Sequence, residues 1–261
     1  MRRLSTMQPE WLRELYELRA RKSLDPSGRV LVEGLRLVGA ARAAGLPFEG
    51  IVYAPEFFAG EPCKQLLEAL QRDGVRSACI PTRDFSALSY KAEGLVGVVR
   101  FTPPTISEVM ASARVLVLDG LSDPGNIGAV LRTANAWGPT GVVVVGGRDK
   151  LFHPKCLRAS MGAVFHTPTC AVERQLAIAH LDRRPVIALA PDGDARLEEL
   201  PAEAIVIFGN ERHGVHPAWH DVTTARVAIP MRGVVDSLNV ATTAAIVLWE
   251  AFAGKKFARG G

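Results

Sequence analysis

The stretch Ile205-Val206-Ile207-Phe208-Gly209-Asn210-Glu211-Arg212-His213-Gly214 decides the fold. Side chains of a strand point alternately to opposite faces, so an unbroken apolar run means that both faces are covered. That is the situation of a strand inside a parallel sheet with helices on either side. The run then breaks off at a glycine, an amide and a carboxylate. Ligands of such sheets bind at the carboxyl ends of the strands, so this polar loop is expected to face a crevice. Residues 115–118, 141–145 and 186–190 read as further strands of the same kind, and 204–208 completes the set. Helices are expected at 127–137, 172–181 and 238–252. Together these predict an α/β domain with a parallel sheet over residues 113–261.

Working toward the amino terminus, the pattern is shorter and less apolar. Helices are expected at 10–20, 34–44 and 63–71, and strands at 29–32, 50–53, 76–80 and 95–101. This is a small α/β domain over residues 1–103. Between the halves lies Thr102-Pro103-Pro104-Thr105-Ile106-Ser107. Consecutive prolines fit neither a helix interior nor a sheet interior, so residues 104–112 are expected to form an extended linker.

A chain of 261 residues is about one and a half times a typical domain of roughly 150 residues, so one large or two modest domains fit. With 48% apolar and 22% charged residues it can bury a core, which excludes disorder as its main state. No run approaches the roughly 18 apolar residues of a membrane span, and Met1-Arg2-Arg3-Leu4-Ser5 leads into a charged segment instead of an apolar signal core. A cytoplasmic protein without membrane contact is expected. Cys63, Cys79, Cys156 and Cys170 form no C-x-x-C pair, so they read as buried thiols instead of metal ligands or disulfides. His213, His216 and His220 have ligand-like spacing, but Pro217 interrupts any helix that would align them, and no metal is expected. The net charge is +4, and 24 of the 31 basic residues are arginine, whose planar fork matches phosphate oxygens. No two glycines are separated by a single residue, which removes the dinucleotide fingerprint, and no phosphate-binding G-x-x-x-x-G-K-[ST] loop occurs. Neither Ser122 nor Ser237 lies in a G-x-S-x-G elbow, so a hydrolase triad has no support.

Two more loops resemble the first in kind. Asp119-Gly120-Leu121-Ser122-Asp123-Pro124-Gly125-Asn126 follows the strand at 115–118. Pro124-Gly125 reads as a type II turn, with Asn126 at a helix N-terminus and Arg132 between one and two turns along that helix. Ile229-Pro230-Met231-Arg232-Gly233-Val234-Val235-Asp236-Ser237-Leu238-Asn239 precedes the last helix. Ser237 and Asn239 flank its start, where unpaired N–H groups favour an anion or a capping oxygen. That helix has almost no charged residue before Glu250, and a helix apolar on every side requires cover on every side.

Asp123-Pro124-Gly125-Asn126-Ile127-Gly128-Ala129-Val130-Leu131-Arg132, then Phe208-Gly209-Asn210-Glu211, then Ile229-Pro230-Met231-Arg232-Gly233 through Ser237-Leu238-Asn239 resemble the three motifs of the SPOUT methyltransferases, TrmH/SpoU branch. Val32-Glu33-Gly34-Leu35-Arg36-Leu37-Val38 is similar to the substrate-binding domain that often precedes them, itself resembling a kink-turn-binding ribosomal protein. The resemblance implies a trefoil knot in the second domain and a homodimer. It implies transfer of a methyl group from S-adenosylmethionine to a ribose 2′-hydroxyl of RNA, with 23S ribosomal RNA preferred because a separate first domain suits a folded RNA target.

Carried over residue by residue, Gly209, Ile229, Met231 and Leu238 would line the cofactor pocket, and Asn126, Arg132, Glu211, Ser237 and Asn239 would serve catalysis. Arg132 would steer the RNA phosphate, because a guanidinium hardly ever loses its proton. Glu211 is the acceptor candidate for the hydroxyl proton, or else a carboxylate that orients Arg132 or caps a backbone amide. One departure stands out: Arg212-His213 occupies the place after Glu211 where the family usually has glycine. Two other readings use the same scaffold, a catalytically silent RNA-binding or ribosome-assembly factor and an antibiotic-resistance rRNA methyltransferase.

Overall fold

The computed structural model describes residues 9–234 and 237–254. The charged segment at Met1–Ser5 and the pair Val235-Asp236 of the third loop lie outside them. The first half runs α1 (Pro9–Arg21), β1 (Arg29–Glu33), α2 (Gly34–Ala43), β2 (Phe48–Tyr53), α3 (Glu61–Arg72), β3 (Ser77–Cys79), α4 (Thr82–Leu88) and β4 (Leu95–Arg100). Its sheet has the order β1-β4-β2-β3, with β4 antiparallel to both neighbours and β2 parallel to β3.

The second half comprises α5 (Ile106–Met110), β5 (Arg114–Asp119), α6 (Pro124–Ala136), β6 (Thr140–Val145), α7 (Arg148–Leu151), α8 (Pro154–Ser160), β7 (Thr169–Val172), α9 (Arg174–Ala179), β8 (Val186–Leu189), β9 (Ile205–Phe208), β10 (Ala225–Val227) and α10 (Val240–Leu248). These strands form a six-stranded sheet in the order β10-β8-β9-β5-β6-β7, parallel at every pairing. As the apolar runs require, it is buried on both faces. Leu116, Leu118, Val142, Val144, Val206 and Phe208 point into the layer made by α6, α8 and α10. Val115, Val117, Val143, Val145, Ile205 and Ile207 point the other way, toward α5, α9 and Trp219.

The helix boundaries differ from the sequence reading in instructive places. Pro124-Gly125 is not a type II turn but the first turn of α6, with proline at a position where its missing N–H costs nothing. The cap is Asp123, whose carboxylate accepts from Gly125 N at 2.7 Å. Residues 104–112 are not wholly extended. A capping box between Thr105 and Glu108 starts α5, and this short helix buries Ile106, Val109 and Met110 against the second sheet. Val172, expected in a helix, ends β7 and pairs with Val145. The final helix starts at Val240 behind an Asn239 cap and gives way after Leu248 to a π-helical turn over Trp249–Gly254.

Two close approaches fix how the helices sit. Gly128 of α6 faces α8 so tightly that a Cβ there would run into the Cys156 carbonyl and lie 2.8 Å from Ala159 Cβ. Gly162, at φ +93°, lets the turn after α8 pack on Ala40 of α2, and Phe101 beyond β4 packs on Phe152 and Phe165 at 5.6 Å between ring centroids. The first half is thereby seated on α8, and α8 on α6. Alanine is normally favoured over glycine in a helix by about 1 kcal/mol. At Gly128 the clash with backbone outweighs that preference: Gly128→Ala is expected to lower stability by about 1–3 kcal/mol, read as a drop in the thermal unfolding midpoint. An unchanged or raised midpoint would show that the two helices can separate freely.

Candidate functional site

β5 is the strand from which successive connections run to one side of the sheet, while β9 beside it leads to the other. The loops that follow these two strands therefore meet at a topological switch point, the usual place for a ligand crevice. Three side chains join the loops there. Glu211 accepts from Asn126 Nδ2 at 3.0 Å, and from the backbone N and Oγ of Ser122 at 3.2 and 3.3 Å. Asn126 Oδ1 accepts in turn from Asn239 Nδ2 at 3.0 Å. Asn239 Oδ1 accepts from Ala241 N at 2.9 Å and so caps α10. The order follows from chemistry. An ionised carboxylate only accepts, so it turns the amide nitrogen of Asn126 toward itself, and the remaining oxygen selects the nitrogen of Asn239.

Partial burial pushes the Glu211 carboxyl up, but the hydrogen bonds from its own backbone, Asn126 and Ser122 outweigh that, and the net shift is below the ordinary carboxylate range. Glu211 is thus ionised at neutral pH with both oxygens engaged. Each loop also has its own anchor. Asn210 pins the second loop: its Oδ1 accepts from Arg212 N and His213 N at 2.9 and 3.1 Å, and its Nδ2 donates to Gly120 O at 2.7 Å. Gly209 has no room for a Cβ, which would strike the backbone of Gly214 and Val215. At the root of the first loop, buried Asp119 accepts from Arg174 at 2.8 and 3.1 Å and from Trp219 Nε1 at 2.6 Å.

Beside this chain, over the carboxyl ends of β8, β9 and β10, opens a cavity of about 400 Å³. Buried Phe208, Val227 and Val240 form its floor. Gly209, Ile229, Met231 and Leu238, the four residues expected to hold a cofactor, all line it, as do Glu211 and Ser237. Asn126 and Asn239 stand behind Glu211 and outside the lining. Arg132 is exposed on α6, does not line the cavity, and makes no hydrogen bond or ion pair with any described residue. Asn210, Ser122 and Thr243 also belong to the site, although the sequence reading gave none of them a catalytic or binding role. Asn210 had a signal, an amide directly after the glycine that ends β9. Ser122 had none, because its bond to Glu211 spans 89 positions.

A larger cavity of about 590 Å³ adjoins across Leu189-Ala190-Pro191. Its charged lining is partly self-satisfied, with Arg226 paired to Asp192 at 2.5 Å, and none of Glu211, Asn126 and Asn239 lines it. His213 and His220 line it, and no group of three metal-ligating side chains occurs among the described residues.

Residues 113–249 match the SpoU rRNA Methylase family, and residues 10–94 match the MRM3-like substrate binding domain. An uncharacterised tRNA/rRNA methyltransferase of Synechocystis sp. is 30% identical over 256 residues, which cover 95% of this chain and 92% of that protein. The 23S rRNA (adenosine(1067)-2′-O)-methyltransferase of Streptomyces laurentii is 32% identical over 235 residues, 84% of each. A crystal structure of an RNA 2′-O ribose methyltransferase superposes with a TM-score of 0.79 at 31% identity, covering 97% of this chain and 98% of its own. On its motifs, its sheet and these similarities, the chain belongs to the SpoU rRNA methylase family.

Proposed function

We propose that this protein transfers the methyl group of S-adenosylmethionine to a ribose 2′-hydroxyl of RNA, with 23S ribosomal RNA as the substrate and the cytoplasm as its place of action. The observation that carries the reading is the chain Glu211–Asn126–Asn239, which draws all three motif loops together beside one cavity. Among the described residues no helix is long and apolar enough to cross a membrane.

The residues present fit the cofactor. A cavity of about 400 Å³ lies within the ordinary range for small-molecule sites. Ile229, Met231 and Leu238 offer apolar cover for a purine, and Gly209 brings backbone groups close where any side chain would collide. Bound there, the sulfonium would supply an activated methyl group, so the protein's own task is alignment and proton removal. Ser237, exposed on the rim, can hydrogen-bond the incoming ribose. Glu211, low in basicity and committed to Ser122 and Asn126, is suited to hold the loops in register, and the hydroxyl proton leaves to water. Arg132 remains available for an RNA phosphate.

The reading includes a homodimer in which Arg132 serves the partner's cavity. In support, Arg132 does not reach the cavity of its own chain, Trp249 remains 46% exposed against Trp137, and Met231, Val234 and Leu238 form exposed apolar surface beside the site. It also includes the trefoil knot. In support, the segment after β8 curls over the exit of β10, where Ala190 N donates to Val227 O and Ala195 N to Arg226 O, and a side chain at Gly193 would strike that backbone.

The primary test is incubation with isotope-labelled S-adenosylmethionine and 23S rRNA, followed by mass-spectrometric mapping. A methylated ribose is expected, and a methylated base would overturn the reaction class. Arg132→Ala is expected to reduce transfer about 100-fold or more while S-adenosylmethionine affinity, measured by calorimetry, stays within about twofold. Equal loss of both would remove Arg132 from RNA positioning. Because the folded carboxyl of Glu211 lies below its ordinary value, its stabilising share is complete above that value and lost as pH falls through the folded one. The difference in urea midpoint between wild type and Glu211→Gln is therefore expected to be largest at neutral pH and to shrink toward pH 3. A difference independent of pH would mean that the charge is not what holds the loops.

A further inference from the structure

The second loop carries one feature that the proposed reaction does not use. Arg212 lines the cavity, is exposed at its rim, and is the one Lys or Arg among the described residues that does so. Its guanidinium makes no hydrogen bond or ion pair with any described residue. The adjacent carboxylate does not claim it, since Glu211 turns away to Ser122 and Asn126. Of the other cations near the loops, Lys150 is engaged on Leu121 O at 2.9 Å, Lys155 on Asp123 at 2.8 Å and Arg174 on Asp119, while Arg132 and Arg232 are exposed but do not line the cavity.

The position of Arg212 is nevertheless rigid. Its backbone N–H is held by Asn210 Oδ1, and the Asn210–Gly214 bridge closes the turn with two backbone bonds of 2.9 Å. A side chain with a fixed root, a free charged end and a place on a cavity rim is arranged to meet an anion entering that cavity. Glu211 beside it is ionised and would repel such an anion, so a cation is required on this side.

We infer that Arg212 is a binding residue for the carboxylate of the methionyl arm of S-adenosylmethionine. The inference rests on the proposed cofactor. The buried floor of Phe208, Val227 and Val240 is apolar and suits the purine, which leaves the charged amino-acid end for the exposed rim, where Arg212 stands. An RNA phosphate at the same rim offers the same anionic oxygens, and the test separates the two sources.

Calorimetric titrations would compare S-adenosylmethionine with its decarboxylated analogue, which keeps the sulfonium and the ammonium but lacks the carboxylate. Wild type is expected to prefer the carboxylate-bearing ligand. Arg212→Gln is expected to weaken it by about 10- to 100-fold and to leave the decarboxylated analogue within about twofold, with Arg212→Lys in between. In steady-state assays the KM for cofactor should rise, with the KM for RNA unchanged. Equal weakening of both ligands would overturn the inference by showing that the substitution merely deforms the loop. Unchanged cofactor affinity, with a higher KM for RNA and a shallower salt dependence, would assign Arg212 to a phosphate and overturn it as well. Failure of wild type to bind either ligand would instead overturn the proposed cofactor itself.

Discussion

A carboxylate offers only acceptors, and that one-sidedness orders the site. Glu211, held ionised by the groups that donate to it, fixes the orientation of Asn126. Asn126 fixes Asn239, and Asn239 caps the helix whose first residues close the cavity. Loops separated by 85 and 113 positions thus share one line of hydrogen bonds. A reversal of either amide would place two like groups face to face and leave both unsatisfied, so the arrangement has a single consistent state.

That line can exist only because the sheet beneath it is rigid. β9 and β5 are adjacent and buried on both faces, so the loops they launch start a strand spacing apart and in register, Leu118 opposite Phe208. Asp119, the last residue of β5, secures the root from behind. It is the one buried carboxylate in this sheet, and Arg174 together with Trp219 Nε1 satisfies it. Trp219 belongs to the segment that follows the second loop, so the loop is held at its front by Asn210 and at its rear by Asp119. Glycine recurs wherever backbone must approach backbone in this region, at Gly128, Gly193 and Gly209.

Much of the second domain was legible from the chain. The apolar runs ending in Phe208 and Val145 required two covered faces, and the carboxyl-end rule pointed to the loops that follow them. Gly209, Ile229, Met231 and Leu238, singled out by the family resemblance and not by any local pattern, line the cavity. The errors fell where local grammar admits two answers. Pro-Gly serves a type II turn and a helix start equally well, and only the cap by Asp123 decided for the helix at Pro124. The linker prolines correctly interrupted structure at 103–104, yet the helix at Ile106 forms because Val109 and Met110 find apolar cover on the second sheet. β10, three residues long with Arg226 exposed at its centre, has no apolar run to announce it.

The sequence by itself determined the kind of fold and which loops carry polar chemistry, because burial period and chain-breaking residues are local properties. What the tertiary structure alone decided is who faces whom: that Glu211 binds Asn126 and Ser122 and not a cation, that Arg212 stands unclaimed on the rim, and that Arg132 does not line the cavity of its own chain. Those are relations between residues far apart in the chain. They depend on strand order and helix seating, which no window of sequence contains.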